Sequence, residues 1–192
     1  PAMVQLANQI DRDCLALYKD VWNWVGTPTS TGPVIDSFSD FAKGTERLDL
    51  SGVPQDERYA VLSPSDQWAL LGSQTALYMQ DVAKDAYRKG KLGMVANVET
   101  YSSQNVQTHT TGSRDNTTPL VKGANQSTTW AASKDTGTMS LLTDGHDTVV
   151  TIKQGDVFTI SGVYAVNPVS KATLGYLQQF VVTADVTAAA TT

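Results

Sequence analysis

Residues 90–113 read GKLGMVANVETYSSQNVQTHTTGS, and the fold of the chain turns on how they are divided. Two glycines, Gly90 and Gly93, bracket a basic lysine and release the backbone from whatever helix precedes them. MVANVETY then reads as one strand, with Met94, Ala96, Val98 and Thr100 on one face and Val95, Asn97, Glu99 and Tyr101 on the other. From Ser102 the chain becomes Ser, Thr, Asn and Gln almost without charge, which predicts a surface loop leaving the sheet, either merely solvated or near a contact with another molecule.

Working towards the N-terminus, a helix is expected over roughly Thr75 to Lys89, with Met79, Val82, Ala83 and Ala86 inward. Arg88, Lys89 and Lys91 cluster at its end, where cations complement the helix dipole and Asp85 stands four residues before Lys89. Before it, SPSDQWALLG starts a helix with Ser63 as N-cap, Pro64 in the first position and Asp66 in the first turn. Tyr59 and Val61 mark a short strand, Ser51-Gly52 and Pro54 a turn, and Pro33, Ile35, Phe38, Phe41 and Ala42 a further helix. The first 25 residues carry a stripe of Met3, Ala7, Ile10, Cys14, Leu17, Val21 and Trp24, which predicts a helix packed on a larger body and stopped by Gly26-Thr27-Pro28.

Towards the C-terminus the composition shifts. Residues 1–117 hold 24 of the 33 charged residues, and helical periods give way to the strand patterns TMSLL, DTVVTI, DVFTI, GVYAV and LQQFVVTADV. Asp144-Gly145, Gln154-Gly155-Asp156, Asn167-Pro168 and Leu174-Gly175 are the turn signals between them. In the last run Phe180, Val182, Ala184 and Val186 alternate with Val181, Thr183 and Asp185 as a half-buried strand would. Short strands at this spacing predict a small sandwich or barrel behind a mixed helix-and-strand region.

The 192 residues are 41% hydrophobic, enough for a sizeable core, and a net charge of −5 argues against a dedicated nucleic-acid binder. The single cysteine, Cys14, excludes an intrachain disulfide. No apolar run approaches the ~18 residues of a membrane span, and PAMVQLANQ is no secretion signal. The missing initiator methionine and the strand-like final residues predict a piece of a longer chain.

Catalytic groups are scarce. His109 has no carboxylate nearer in sequence than Asp115 and reads as a solvated loop residue. Asp144, His146 and Asp147 have the crowding of a cation site, but Asp-Gly between strands reads first as a turn. Asp11/Asp13 and Asp36/Asp40 are carboxylate pairs, the second on one helix face where like charge would raise a pKa; exposed surface explains both. Cys14 lies on the packed stripe, no serine sits in an elbow motif, and no phosphate-binding glycine loop occurs. No catalytic, cofactor-binding or metal residues are assigned, and no cofactor is expected.

YAVLSPSDQWALLGS (59–73), DVAKDAYRKGKLGMVANVETYSSQNVQTHTTGS (81–113) and IKQGDVFTISGVYAVNPVSKATLGYLQQFVVTADVT (152–187) together resemble, in order, the coat proteins of short-tailed phages related to the Salmonella transducing phage; they cover about half the chain. The resemblance implies an α+β chain of the HK-ninety-seven-type capsid fold: a spine helix, an axial domain and an inserted all-β, telokin-like barrel. On that mapping residues 1–29 are the end of the spine helix in the peripheral domain, 30–117 the axial domain and 118–192 part of the inserted barrel, with the chain truncated at both ends. It implies a structural, non-enzymatic subunit of an icosahedral phage or prophage capsid enclosing double-stranded DNA. Its partners would be copies of itself in pentamers and hexamers, a scaffolding protein gripped through parts not in this sequence, and packaged DNA without specific contact. It would be found in the virion and assemble in the host cytoplasm, with no membrane partner. The contrasting class is a tail or fibre-type carbohydrate-binding β module, for which Trp130, Tyr164 and Tyr176 are the candidate aromatics.

Overall fold

A computed structural model describes residues 2–27, 34–74, 90, 92–113, 117–124, 126, 137–147 and 150–188. The expected helix over 75–89 with its basic cluster, Pro28, Pro33, Asp115 and Trp130 lie outside the described residues. The chain divides into two compact units: residues 1–17, 23–107 and 159–179, and residues 18–22, 108–158 and 180–192.

The first unit contains helices α1 (Ala2–Leu15), α2 (Phe38–Leu50) and α3 (Pro64–Gln74) and strands β1 (Tyr59–Leu62), β2 (Met94–Val95) and β3 (Val98–Ser102). Helices α2 and α3 begin in the same way. Ser37 in SFSD and Ser63 in SPSD each accept the backbone N–H three residues on, from Asp40 and Asp66 at 3.2 Å. Each hydroxyl also donates to that same aspartate's carboxylate at 2.6 Å. The Ser63 cap is as expected from sequence; α2 starts later than Pro33 suggested, because Ser37 takes the cap and leaves Ile35 outside the helix. At its other end α2 closes with Val53 N–H on Leu48 O and Gly52 N–H on Asp49 O, each at 3.0 Å, with Gly52 at φ +72°. Only a glycine-like backbone takes that left-handed closing position at no steric cost.

MVANVETY is not one strand. Strands β2 and β3 are antiparallel, with Val95 opposite Val98, and Ala96 and Asn97 form the two-residue turn at φ +48° and +62°. Two positive φ values in succession are what a tight hairpin of right-twisting strands demands. The inserted turn reverses the expected faces: Val95 joins Val98 in the core, and Met94 goes outside. β1 then pairs in parallel with β3, Tyr59 opposite Glu99 and Leu62 opposite Ser102, giving the sheet order β1-β3-β2. Phe41, Leu62, Leu70, Leu71, Leu92, Val95 and Val98 form the core on the inner face, and Leu70 is fully enclosed.

The N-terminal expectation needs correction. Helix α1 stops at Leu15, a 3-10 segment covers Ala16–Asp20, and residues 21–25 are not helical. VWNWV is rich in β-branched and aromatic residues, which are poor helix formers. Trp24 instead behaves like a strand residue: its N–H donates to Gln179 Oε1 at 2.9 Å and its carbonyl accepts from Gln179 Nε2 at 2.8 Å. Nor does the stripe pack: Met3 is 84% exposed, and Ala7, Ile10, Cys14 and Leu17 are all exposed. Amphipathicity shows that a face requires cover, but not which surface supplies it.

Strands β4 (Leu120–Val121), β5 (Thr143–Asp144), β6 (Val150–Ile152), β7 (Val157–Val166), β8 (Thr173–Val181) and β9 (Val186–Ala188) follow. They pair two by two, β4 with β5, β6 with β9 and β7 with β8, so no closed barrel is present among the described residues. DVFTI and GVYAV make a single strand, β7, and TMSLL lies outside any strand. Leu174-Gly175 is inside β8 rather than at a turn. The half-buried strand expected from Phe180 to Val186 is interrupted: β8 ends at Val181, and β9 begins only at Val186. The break has a cause, since Val182 bonds sideways to the 155–156 turn, Gly155 N–H to its carbonyl at 2.8 Å and its own N–H to Asp156 O at 2.9 Å. Within this second unit Phe158 and Phe180 stack with ring centroids 5.6 Å apart.

Candidate functional site

The polar run after β3 is the segment with the most unusual chemistry, and its side chains have internal partners. In the first unit Ser103 Oγ and Asn105 Nδ2 donate to Asp11 Oδ2 at 3.1 and 2.6 Å, and Gln107 Nε2 donates to the Arg12 carbonyl at 3.3 Å. Ser103, Asn105 and Gln107 are half-buried, whereas Gln104 is exposed. A free surface loop would leave these amides to water; here alternate side chains are spent on α1.

The rest of the run lies in the second unit, and His109 is no solvated loop residue. Its Nε2 meets Asp156 Oδ1 at 2.7 Å, with the two side chains 22% and 17% exposed. Tyr18 approaches the other ring nitrogen at 3.4 Å, its ring edge-on to the imidazole. The second oxygen of Asp156 accepts the N–H of Lys153 at 2.8 Å and of Gly112 at 3.1 Å. Burial alone would raise the Asp156 pKa, but the His109 hydrogen bond and the two backbone N–H groups outweigh it and bring the carboxyl below its ordinary value. Burial raises the Tyr18 hydroxyl. Beyond Gly112, Ser113 Oγ accepts from Thr151 N–H at 2.8 Å, and Ser113 N–H donates to Thr151 Oγ1 at 3.2 Å. The approach is so close that a Cβ on Gly112 would stand 1.9 Å from the Thr151 carbonyl oxygen. Sequence separation hid this cluster, since no local signal links His109 to a carboxylate 47 positions away.

A tyrosine, a histidine and an aspartate in contact could relay a proton, but each polar atom of Asp156 is already committed to holding the loop. The other sequence candidates separate. Asp144-Gly145 ends β5, with Gly145 at φ +75°, and His146 Nε2 lies 2.7 Å from Thr143 Oγ1. No group of three metal-ligating side chains occurs among the described residues. Asp40 moves opposite to the expected direction: hydrogen bonds from Lys43 and Ser37 lower it to about 2. Lys43 stands 2.8 Å away, three residues along the helix, and Asp36, which precedes the helix, also lowers the Asp40 carboxyl through a hydrogen bond. Tyr176 has its face covered by the Arg47 guanidinium, 3.5 Å from the ring centroid, whereas Tyr164 is exposed.

Sequence reasoning missed Arg58. Its guanidinium is buried and donates to Pro54 O at 2.8 Å and Val53 O at 2.6 Å, and reaches Asp49 Oδ1 at 2.7 Å. Nη1 has no partner among the described residues. The side chain thus locks the 53–58 turn to the end of α2, and its own carbonyl accepts Glu99 N–H at 2.9 Å from β3. An arginine inside a turn sequence gave no signal beyond its charge.

The surface carries apolar side chains where a lone globule would hide them. On the outer face of the β1-β3-β2 sheet Tyr59, Val61, Met94 and Tyr101 are exposed, the two tyrosine rings 6.2 Å apart. Glu99 lies between Met94 and Tyr59 in the register, and its carboxylate, through a hydrogen bond, raises the Tyr101 hydroxyl. No catalytic constellation accompanies these patches among the described residues. What they define is a subunit built for contact.

Comparison with known families agrees. Residues 2–192 match the family described as P22 coat protein, gene protein 5, and the chain belongs to that family. No curated protein matches the chain. The chain is thus a structural subunit of a bacteriophage capsid, a class of shell-forming proteins and not an enzyme family. No helix among the described residues is long and apolar enough to cross a membrane.

Proposed function

We propose that this coat subunit divides its labour along the chain. Residues 1–29 end the spine helix of the peripheral domain, 30–117 form the axial domain, and 118–192 belong to an inserted, telokin-like β-barrel domain. Copies of the subunit meet in pentamers and hexamers of an icosahedral shell, a scaffolding protein guides their assembly in the host cytoplasm, and packaged double-stranded DNA lies inside without base-specific contact. The subunit catalyses nothing.

The observation that carries the reading is the family match over residues 2–192. Two features support it further. Apolar side chains are exposed together on α1 and on the outer face of the three-stranded sheet, as on surfaces that a neighbouring molecule covers. The net charge of −5 keeps the wall from adhering to nucleic acid. A carbohydrate-binding module would require free aromatic faces, and Tyr176 has given its own to Arg47.

The test is co-expression of the coat gene product with its scaffold, followed by negative-stain microscopy. Closed shells are the expected product. Monomers alone at high concentration, with the scaffold verified in the same extract, would overturn the reading.

A further inference from the structure

The turn that ends β5 holds the only aspartate in the sequence followed by glycine, and no asparagine is followed by glycine. Its geometry is specific. Gly145 N–H donates to Asp144 Oδ1 at 2.8 Å, so the amide nitrogen is held against the carboxyl carbon to which that oxygen is bonded. Gly145 has φ +75°, and a Cβ built on it would meet nothing within 4 Å, so the glycine side of the turn is open. The flanking atoms are fixed: Gly145 O accepts from Thr117 Oγ1 at 2.6 Å, and Lys122 Nζ stands 3.9 Å from Asp144 Oδ2.

From this we infer that Asp144-Gly145 is a site of spontaneous backbone modification, the conversion of aspartate to isoaspartate through a cyclic imide. The Gly145 nitrogen attacks Asp144 Cγ; a C–N bond forms, and a carboxyl oxygen leaves as water, carrying the amide proton. Water then adds to the main-chain carbonyl of Asp144 in the imide, and the original peptide C–N bond breaks. The chain thereafter runs through Cβ and Cγ, and the old main-chain carbonyl has become the free carboxylate. No electron changes hands, and water is both released and consumed. Orientation of nucleophile and electrophile is what singles this residue out, since the sequence contains 15 Asp besides it and Asp144 alone is followed in the chain by the unbranched amide of a glycine.

The consequence falls on β4–β5. Asp144 is opposite Leu120 and Thr143 opposite Val121, with Lys122 N–H extending the ladder to Leu142 O at 3.0 Å. An extra methylene in the main chain at Asp144 disturbs the last pair of the ladder, Asp144 with Leu120, and displaces the carboxylate that faces Lys122 Nζ, whereas Thr143 and Leu142 precede it and keep their register.

The experiment is incubation of the natively folded chain at neutral pH and physiological temperature in heavy-oxygen water. Peptide mapping with electron-transfer fragmentation then locates isoaspartate, and isoaspartyl methyltransferase counts it. Isoaspartate carrying one heavy oxygen is expected at position 144, exceeding that at Asp36, which precedes a serine, by at least about tenfold. Gly145→Ala should cut the yield by a similar factor, and Asp144→Glu should remove methyl acceptance at that position even if the turn is perturbed. Equal yields at 144 and 36, no dependence on Gly145, or isoaspartate at 144 only after the chain is unfolded in urea would each overturn the inference.

Discussion

Removing the Arg58 guanidinium tests how the first unit is held together. Arg58→Ala deletes two hydrogen bonds from a charged donor to the Pro54 and Val53 carbonyls. Such bonds contribute about 1.5–3 kcal/mol each. It also deletes the pair with Asp49, whose side chain is 44% exposed against 4% for Arg58. Solvent screening on the Asp49 side keeps that contribution to about 1 kcal/mol or less. In the opposite direction, the substitution abolishes the cost of burying a charge whose Nη1 lacks a partner among the described residues, a cost of several kcal/mol. The balance is a loss of roughly 2–3 kcal/mol. Urea unfolding followed by far-ultraviolet circular dichroism reads this as a midpoint lowered by roughly 1 M, given the usual slopes. Asp49→Ala should cost about 1 kcal/mol or less, because the two carbonyls keep their donor. Arg58→Lys should recover less than half of the Arg58→Ala loss, since one ammonium cannot reproduce the forked geometry. If Arg58→Ala lowers the midpoint no more than Asp49→Ala does, or if lysine restores it fully, the turn is not held in the way the geometry indicates.

Three further outcomes follow from single positions. Gly112→Ala places a methyl 1.9 Å from the Thr151 oxygen, so the loop must lift from β6; a loss of about 2–3 kcal/mol is expected, with faster amide exchange at Thr151, and unchanged exchange there would refute the close approach. Ala96→Gly relieves a left-handed alanine in the β2–β3 turn; a gain of about 0.5–1 kcal/mol is expected after the added chain entropy, and any destabilisation counts against the assigned turn. Asp156 has its pKa lowered in the folded state, so its contribution is complete above the ordinary value of 3.8 and is lost as pH falls through the folded value. Asp156→Asn should therefore flatten the acid limb of the stability curve below that value, and an unaltered acid limb would show that the His109 cluster does not report on folding.

How far the sequence reached depends on the range of each signal. Ser63-Pro64 and Asp66 announced α3, because capping is settled within four residues of chain. Ser37 and Asp40 carry the same S-x-x-D pattern, yet the proline upstream drew the expected boundary to the wrong place. Val95 and Val98 show the opposite limit: alternation alone made MVANVETY one strand, and the turn at Ala96-Asn97 carries neither the glycine nor the proline that normally marks one. His109 lay beyond reach altogether, as its partner Asp156 arrives from the far side of β6.

By itself, then, the amino-acid order determined the caps, the left-handed glycines at 52 and 90, the shift from helix to strand in the latter part of the chain, and the ordered motifs of a phage coat subunit. Tertiary structure alone decided that the polar run binds α1 and Asp156, that Arg58 is buried, and that the apolar stripe of α1 is exposed. The physical reason is distance along the chain. Backbone capping and handedness are satisfied by near neighbours, whereas the partner of a buried charge or of an amphipathic face is chosen by which distant surfaces the fold brings together.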